Sequence, residues 1–163
     1  MTNKEPSEKL LELLEEDGRI SVDDISTMTG LSKDEVEKTI KKLGKKGVIR
    51  GFKAIIDWKS FDGGKVSALI QVKVVPQMRL GFAKTCREIS RDKRVLDVFV
   101  VTGEYDLMML VQGENMEEIS DFVTEKLAPR KEVVGTNTHI VLSEYKRAGS
   151  LMFDEKERRL PVS

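Results

Sequence analysis

Apolar residues recur at helical spacing three times early in the chain and later switch to strict alternation. Leu10, Leu11, Leu13 and Leu14 form a leucine stripe after Pro6-Ser7, and the helix they predict ends at Asp17-Gly18. Ser21 then precedes Val22, Ile25 and Met28, with Asp23 and Asp24 in the first turn where the helix dipole favours acids. Gly30 stops this second helix. Ser32 with Glu35 three residues on reads as a capping box, and Val36, Ile40 and Leu43 are the inward stripe of a third helix. Val48 to Ile56 reads as a trailing strand. Two helices joined by a tight glycine turn make a helix-turn-helix.

After a polar stretch, 58–64, with a hinge at Gly63-Gly64, the period changes. Val66, Ala68, Ile70, Val72 and Val74 alternate with Ser67, Gln71 and Lys73, a strand that Pro76 ends. Phe82, Cys86 and Ile89 mark an amphipathic helix. Val95–Thr102 and Leu107–Gln112 are strands around the turn Gly103-Glu104-Tyr105-Asp106. Asn115 caps a helix bearing Ile119, Phe122, Val123 and Leu127, closed by Pro129, and Val133–Ser143 is the last strand. The order β-α-β-β-α-β is the ferredoxin-like plan. The expected fold is therefore α+β, a helix-turn-helix (winged-helix-like) domain joined to a ferredoxin-like domain. The expected divisions are 1–57, a linker at 58–64, 65–145, and a polar tail at 146–163. Both helices must cover one face of the sheet. The other face carries too much Val and Leu to stay wet, which points to a homodimer formed through it.

Composition narrows the function. Lys plus Arg and Asp plus Glu are each 28 of 163 residues, which excludes a uniformly basic coat or an acidic disordered tail. The balance hides a local asymmetry. Residues 1–32 set eight acids against Lys4, Lys9 and Arg19, whereas 33–53 set eight cations against Asp34, Glu35 and Glu37. The cations sit on and after the third helix: Lys33, Lys38, Lys41, Lys42, Lys45, Lys46, Arg50 and Lys53. Such a helix fits a major groove about 12 Å wide, with surrounding lysines meeting phosphates. Ser32 at its start offers a hydroxyl and free N–H groups to a phosphate. The partner expected is double-stranded DNA. No apolar run approaches the roughly 20 residues that span a bilayer, and MTNKEPSEKL lacks a signal-peptide core, so a cytoplasmic protein without a membrane partner is expected. One cysteine and one histidine exclude a disulfide and a Cys/His zinc cage. No metal, cofactor or catalytic residue is expected. Cys86 reads as core, His139 as a structural strand residue, and Trp58 as a hinge anchor or plain packing.

Asp17-Gly18-Arg19-Ile20-Ser21, Gly30-Leu31-Ser32, Gly47-Val48-Ile49-Arg50-Gly51-Phe52 and Thr102-Gly103-Glu104-Tyr105-Asp106-Leu107 occur in order, with Thr136-Asn137-Thr138 on the last strand. In this arrangement the chain resembles the Lrp/AsnC (feast/famine) transcription regulators from about residue 8 to about residue 145. The resemblance implies a sequence-specific DNA-binding regulator, dimeric and often octameric, answering to a small effector, usually an amino acid. Its DNA contacts would come from Ser32, Lys33, Lys38, Thr39, Lys41, Lys42, Lys45, Lys46 and Arg50. Its effector site would lie at Gly103, Glu104, Tyr105 and Asp106, with Thr136 and Thr138. Asp106 suits an ammonium group; loop N–H groups and the two hydroxyls suit a carboxylate. The third helix departs from the family's common pattern at Thr39, where arginine is usual, and at Glu35, where threonine is usual. An acid there repels phosphate unless the capping box holds it aside. Two alternatives remain: a siroheme decarboxylase-like enzyme of the same architecture, or an effector-sensing assembly protein without DNA binding.

Overall fold

The computed structural model describes residues 5–62, 64–75 and 83–153. Pro76, Arg79, Phe82, Gly63, and Lys156, Arg158 and Arg159 of the tail lie outside them. The chain divides into two compact units, 1–54 and 55–163.

The first unit holds α1 (Pro6–Glu16), α2 (Val22–Thr29) and α3 (Lys33–Lys45). Leu10, Ile25 and Val36, one from each helix, are fully buried together, and Leu13, Leu14, Ile20, Val22, Leu31, Ile40 and Leu43 pack around them. Local chemistry sets the helix ends. The Ser21 hydroxyl accepts from the Asp24 N–H, and Gly30 ends α2 at φ 77°, a left-handed position that a side chain disfavours. Ser32 and Glu35 form the full reciprocal capping box that starts α3. The predicted strand Val48–Ile56 does not form. Val48 and Ile49 instead donate to the Leu43 carbonyl at 3.0 and 3.3 Å, finishing α3. The rest is unladdered, because no described strand pairs with it. Val48, Phe52, Ile55 and Ile56 are all exposed along it.

The second unit begins with a helix where a linker was expected. Asp57 caps α4 (Trp58–Asp62), accepting from the N–H groups of Lys59 and Ser60 at 3.0 and 3.2 Å. Trp58 meets Phe61 edge-on and carries the Lys65 ammonium 4.9 Å from its ring centre, so it packs within this unit. Then follow β1 (Val66–Val74), α5 (Ala83–Ile89), β2 (Val95–Val100), β3 (Leu107–Gly113), α6 (Met116–Asp121) and β4 (Val133–Ile140). Asn115 caps α6 as expected, and the helix continues as a π-turn, Phe122–Leu127. The sheet order is β2-β3-β1-β4 and every pairing is antiparallel, the ferredoxin-like arrangement. One face of β1 and β3 is fully buried at Ala68, Ile70, Val72, Leu107, Met109 and Val111, against Ile89 of α5 and Ile119, Phe122 and Leu127 of the second helical segment. Cys86 lies beside this core, and burial raises its thiol pKa, which disfavours the thiolate. The opposite face exposes Leu69 and Phe99. The expected polar tail opens with a two-stranded hairpin, β5 (Lys146–Arg147) and β6 (Ser150–Leu151). Among the described residues no helix is long and apolar enough to cross a membrane.

Candidate DNA-binding face and effector cavity

The cations predicted to meet DNA are not equivalent. Lys38, Lys41, Lys42 and Lys45 are exposed on α3, and Lys46 and Arg50 are exposed just beyond it. Lys33 is paired with Asp23 of α2 at 2.8 Å. Thr39 is half-buried beside Ile40 rather than on the outer surface. The Ser32 hydroxyl donates to Glu35 Oε2 at 2.6 Å while accepting from the Glu35 N–H, so it is already engaged. The same contact disposes of the acid at the helix start. Glu35 is drawn back over the cap by the hydroxyl and N–H of Ser32, which hold its carboxyl below the usual range. The result is a cationic helix face from which Glu35 is turned away onto its own backbone, while Asp34 stays exposed in the first turn.

In the second unit the loop 101–106 forms one wall of a cavity of about 460 Å³. Val101, Thr102, Glu104 and Tyr105 line it from the loop, with Met108 of β3, Gln71 of β1, and Asn137 and His139 of β4. Gly103 stands between lining residues at φ 124°, a conformation open to glycine and costly for other residues. Gln71 Oε1 accepts from Asn137 Nδ2 at 3.3 Å and lies 3.3 Å from His139 Nε2. His139 is exposed on this wall instead of being a packed structural histidine, because it alternates to the face that the helices do not cover.

Two expected contributors are placed elsewhere. In the register of β4 on β1, Thr136 lies opposite Val72 and Thr138 opposite Ile70, both buried core residues. Directly opposed residues share a face, so both threonines belong to the helix-covered side. Asn137 and His139, opposite Gln71 and Leu69, belong to the open side. Asp106 is a latch. Its Oδ2 accepts the Val74 N–H at 2.9 Å and lies 3.3 Å from the Lys73 ammonium. That N–H, aided by Lys73, holds the Asp106 carboxyl below its ordinary range. Glu104 is thus the loop carboxylate that lines the cavity. Gln71, Asn137 and His139 were missed; their one sequence signal is that they alternate with core positions of the same strands. A second cavity, about 250 Å³, lies between Trp58, Ser67, Gln112 and the β5–β6 hairpin, away from the loop.

Residues 67–151 match the model of the Lrp/AsnC ligand-binding domain, and residues 6–50 that of a winged helix-turn-helix DNA-binding domain. The HTH-type transcriptional regulator YugG of Bacillus subtilis strain 168, itself described as uncharacterised, is 36% identical over 165 residues, covering 100% of this chain and 98% of its own. The HTH-type transcriptional regulator FL11 of Pyrococcus horikoshii is 31% identical over 147 residues, 90% of this chain and 94% of its own. Among solved structures, a transcriptional regulator of Neisseria meningitidis, NMB0573, in complex with L-Met is similar at TM-score 0.66 and 26% identity, covering 90% of this chain and 94% of that one.

Proposed function

This chain belongs to the Lrp/AsnC family of DNA-binding transcriptional regulators with a ligand-binding domain, and from that premise we propose that a free amino acid in the 460 Å³ cavity controls operator binding by α3. The observation that carries the reading is the composition of the cavity wall. A zwitterion brings one ammonium group and one carboxylate only a few bonds apart. Glu104 supplies the anion for the first; Asn137 Nδ2, which has a second hydrogen beyond the one given to Gln71, and the Tyr105 hydroxyl supply donors for the second. Val101 and Met108 offer apolar surface to a side chain. The Neisseria relative was solved with L-Met, an apolar amino acid. Asp106 takes no part in contact; it positions the loop.

On the DNA side, Lys38, Lys41, Lys42, Lys45, Lys46 and Arg50 meet phosphates or bases, while Ser32 and Lys33 shape the start of the helix. A homodimer covers the open sheet face, where Leu69 and Phe99 are exposed, and higher assembly, such as an octamer, is built from it. The chain acts as a regulator rather than an enzyme, a reading supported by relatives described as HTH-type transcriptional regulators, and the siroheme decarboxylase-like alternative is not favoured. The test is a thermal-shift panel of the twenty amino acids on the wild type and Glu104→Gln. A ligand at 100 times its Kd stabilises by about 2.7 kcal/mol, ample for a visible shift. Stabilisation by apolar amino acids that Glu104→Gln loses supports the reading. A response retained in full by the variant, or no response to any amino acid, refutes it.

A further inference from the structure

The outer ridge of α3 carries one acid among its lysines. At 3.6 residues per turn, Val36, Ile40 and Leu43 define the inward face, and Asp34, Lys38, Lys41 and Lys45 fall within about 50° of the opposite pole. All four are exposed, and among the described residues none has a hydrogen bond or close ion pair, although Lys38 acts on Glu35 through its charge. The other acids of the helix are placed differently. Glu35 is folded onto the cap by Ser32, and Glu37 stands about a quarter turn off the ridge. Asp34 alone points with the lysines.

A carboxylate on a ridge that enters an anionic groove is repelled by the phosphates. The helix dipole does not demand it, since Glu35 already supplies an acid to the first turn. What repays it is a donor on the groove floor. In the major groove only cytosine N4 and adenine N6 carry amino groups; guanine and thymine present acceptors. Adenine also sets its N7 acceptor beside the amino group, against the second carboxylate oxygen. Cytosine does not. Helix-turn-helix proteins bring the N-terminal residues of this helix to the base edges, and Asp34 is in its first turn.

From this placement we infer that Asp34 is a specificity-determining residue that selects cytosine by accepting from its N4 amino group. Lys38 stands four residues on, about 6 Å along the axis. It therefore reaches about two base-pair steps further along the groove. The inference rests on α3 lying in the major groove.

The test is selection from randomised duplexes by the full-length chain, comparing the wild type with Asp34→Asn and Asp34→Ala, with circular dichroism confirming that the variants fold. The wild type should enrich cytosine at one position of each half-site, by about tenfold over the other bases. Asp34→Asn should move that position to adenine, whose N6 and N7 match a side-chain amide. Asp34→Ala should lose the preference there, keep the remainder of the profile, and bind random DNA more tightly because one repulsive charge is gone. Identical profiles for all three proteins overturn the inference and leave Asp34 as a helix-end acid. A wild type that binds duplexes but enriches no sequence overturns both the inference and the groove placement beneath it.

Discussion

Lys41 and Lys33 are both lysines of α3, yet only the replacement of Lys41 with alanine should change DNA binding. The Lys41 ammonium is exposed, unpaired among the described residues and on the outer ridge. Lys33 is 2.8 Å from Asp23 and lies about a third of a turn from the ridge pole. The ion pair alone is a weak restraint: its side chains are 64% and 68% exposed, and such pairs contribute about 0–1 kcal/mol. Position decides. A lysine on the far side of the helix brings no counter-charge to the groove, and Asp23 neutralises what field it has. Each phosphate that is no longer neutralised flattens the slope of log K against log salt by about 0.9. Lys41→Ala should therefore flatten it by about 0.9 for each protomer engaged, or about 1.8 for a dimer on two half-sites. Between 50 and 200 mM salt this makes the wild type lose about 3.5-fold more affinity per protomer than the variant. Lys33→Ala should leave the slope unchanged. Fluorescence anisotropy of a labelled operator across a salt series measures both. Equal flattening by the two variants, or none by Lys41→Ala, would falsify the assignment of this ridge to DNA.

Three further outcomes are expected. Leu10→Ala, at one of three fully buried positions in the first unit, should cost about 2–5 kcal/mol. A unit of 54 residues holds only about 3–8 kcal/mol. Helical circular dichroism should thus show an early transition that the wild type lacks, while fluorescence of Trp58, the single tryptophan, in the second unit, melts as before; a shared shift of both probes contradicts this. Ser32→Ala should destabilise the first unit by about 1 kcal/mol through removal of the cap. Because the Ser32 hydroxyl lowers the Glu35 pKa, the share carried by the hydroxyl–carboxylate contact is present above the ordinary carboxylate range and fades as pH falls through the lowered value, while the cap on the Glu35 N–H does not titrate. The gap between the melting curves of wild type and variant should therefore narrow from neutral to acid pH, and a constant gap counts against it. Asp106→Ala frees the loop from β1, so amide exchange at Val74 and across 101–106 should accelerate and effector binding should weaken. Unchanged exchange at Val74 sinks the latch. The Asp106 pKa is also lowered, so acidification through it should release the loop in the wild type in the same way.

What depends on neighbours three or four residues away was legible in the chain's local pattern. Ser21, Ser32 and Asn115 cap the helices they were expected to cap, since each hydroxyl or amide reaches an N–H only three residues on. Alternation along β1 identified its buried face, because successive side chains must leave a strand on opposite sides. Which residues of β4 face the cavity was not legible there. That choice belongs to the register of Thr136 on Val72, and a shift of one residue would exchange Thr136 and Thr138 for Asn137 and His139. The same holds for Asp106: its acceptor is claimed by Val74, 32 residues away, where β1 slips register against β4 after Lys73. It holds again for Val48–Ile56, whose residues have strand character but no described neighbour to complete a ladder. Local pattern fixes the direction a side chain leaves the backbone; the partner it meets is fixed by contacts distant in the chain, which no window of sequence contains.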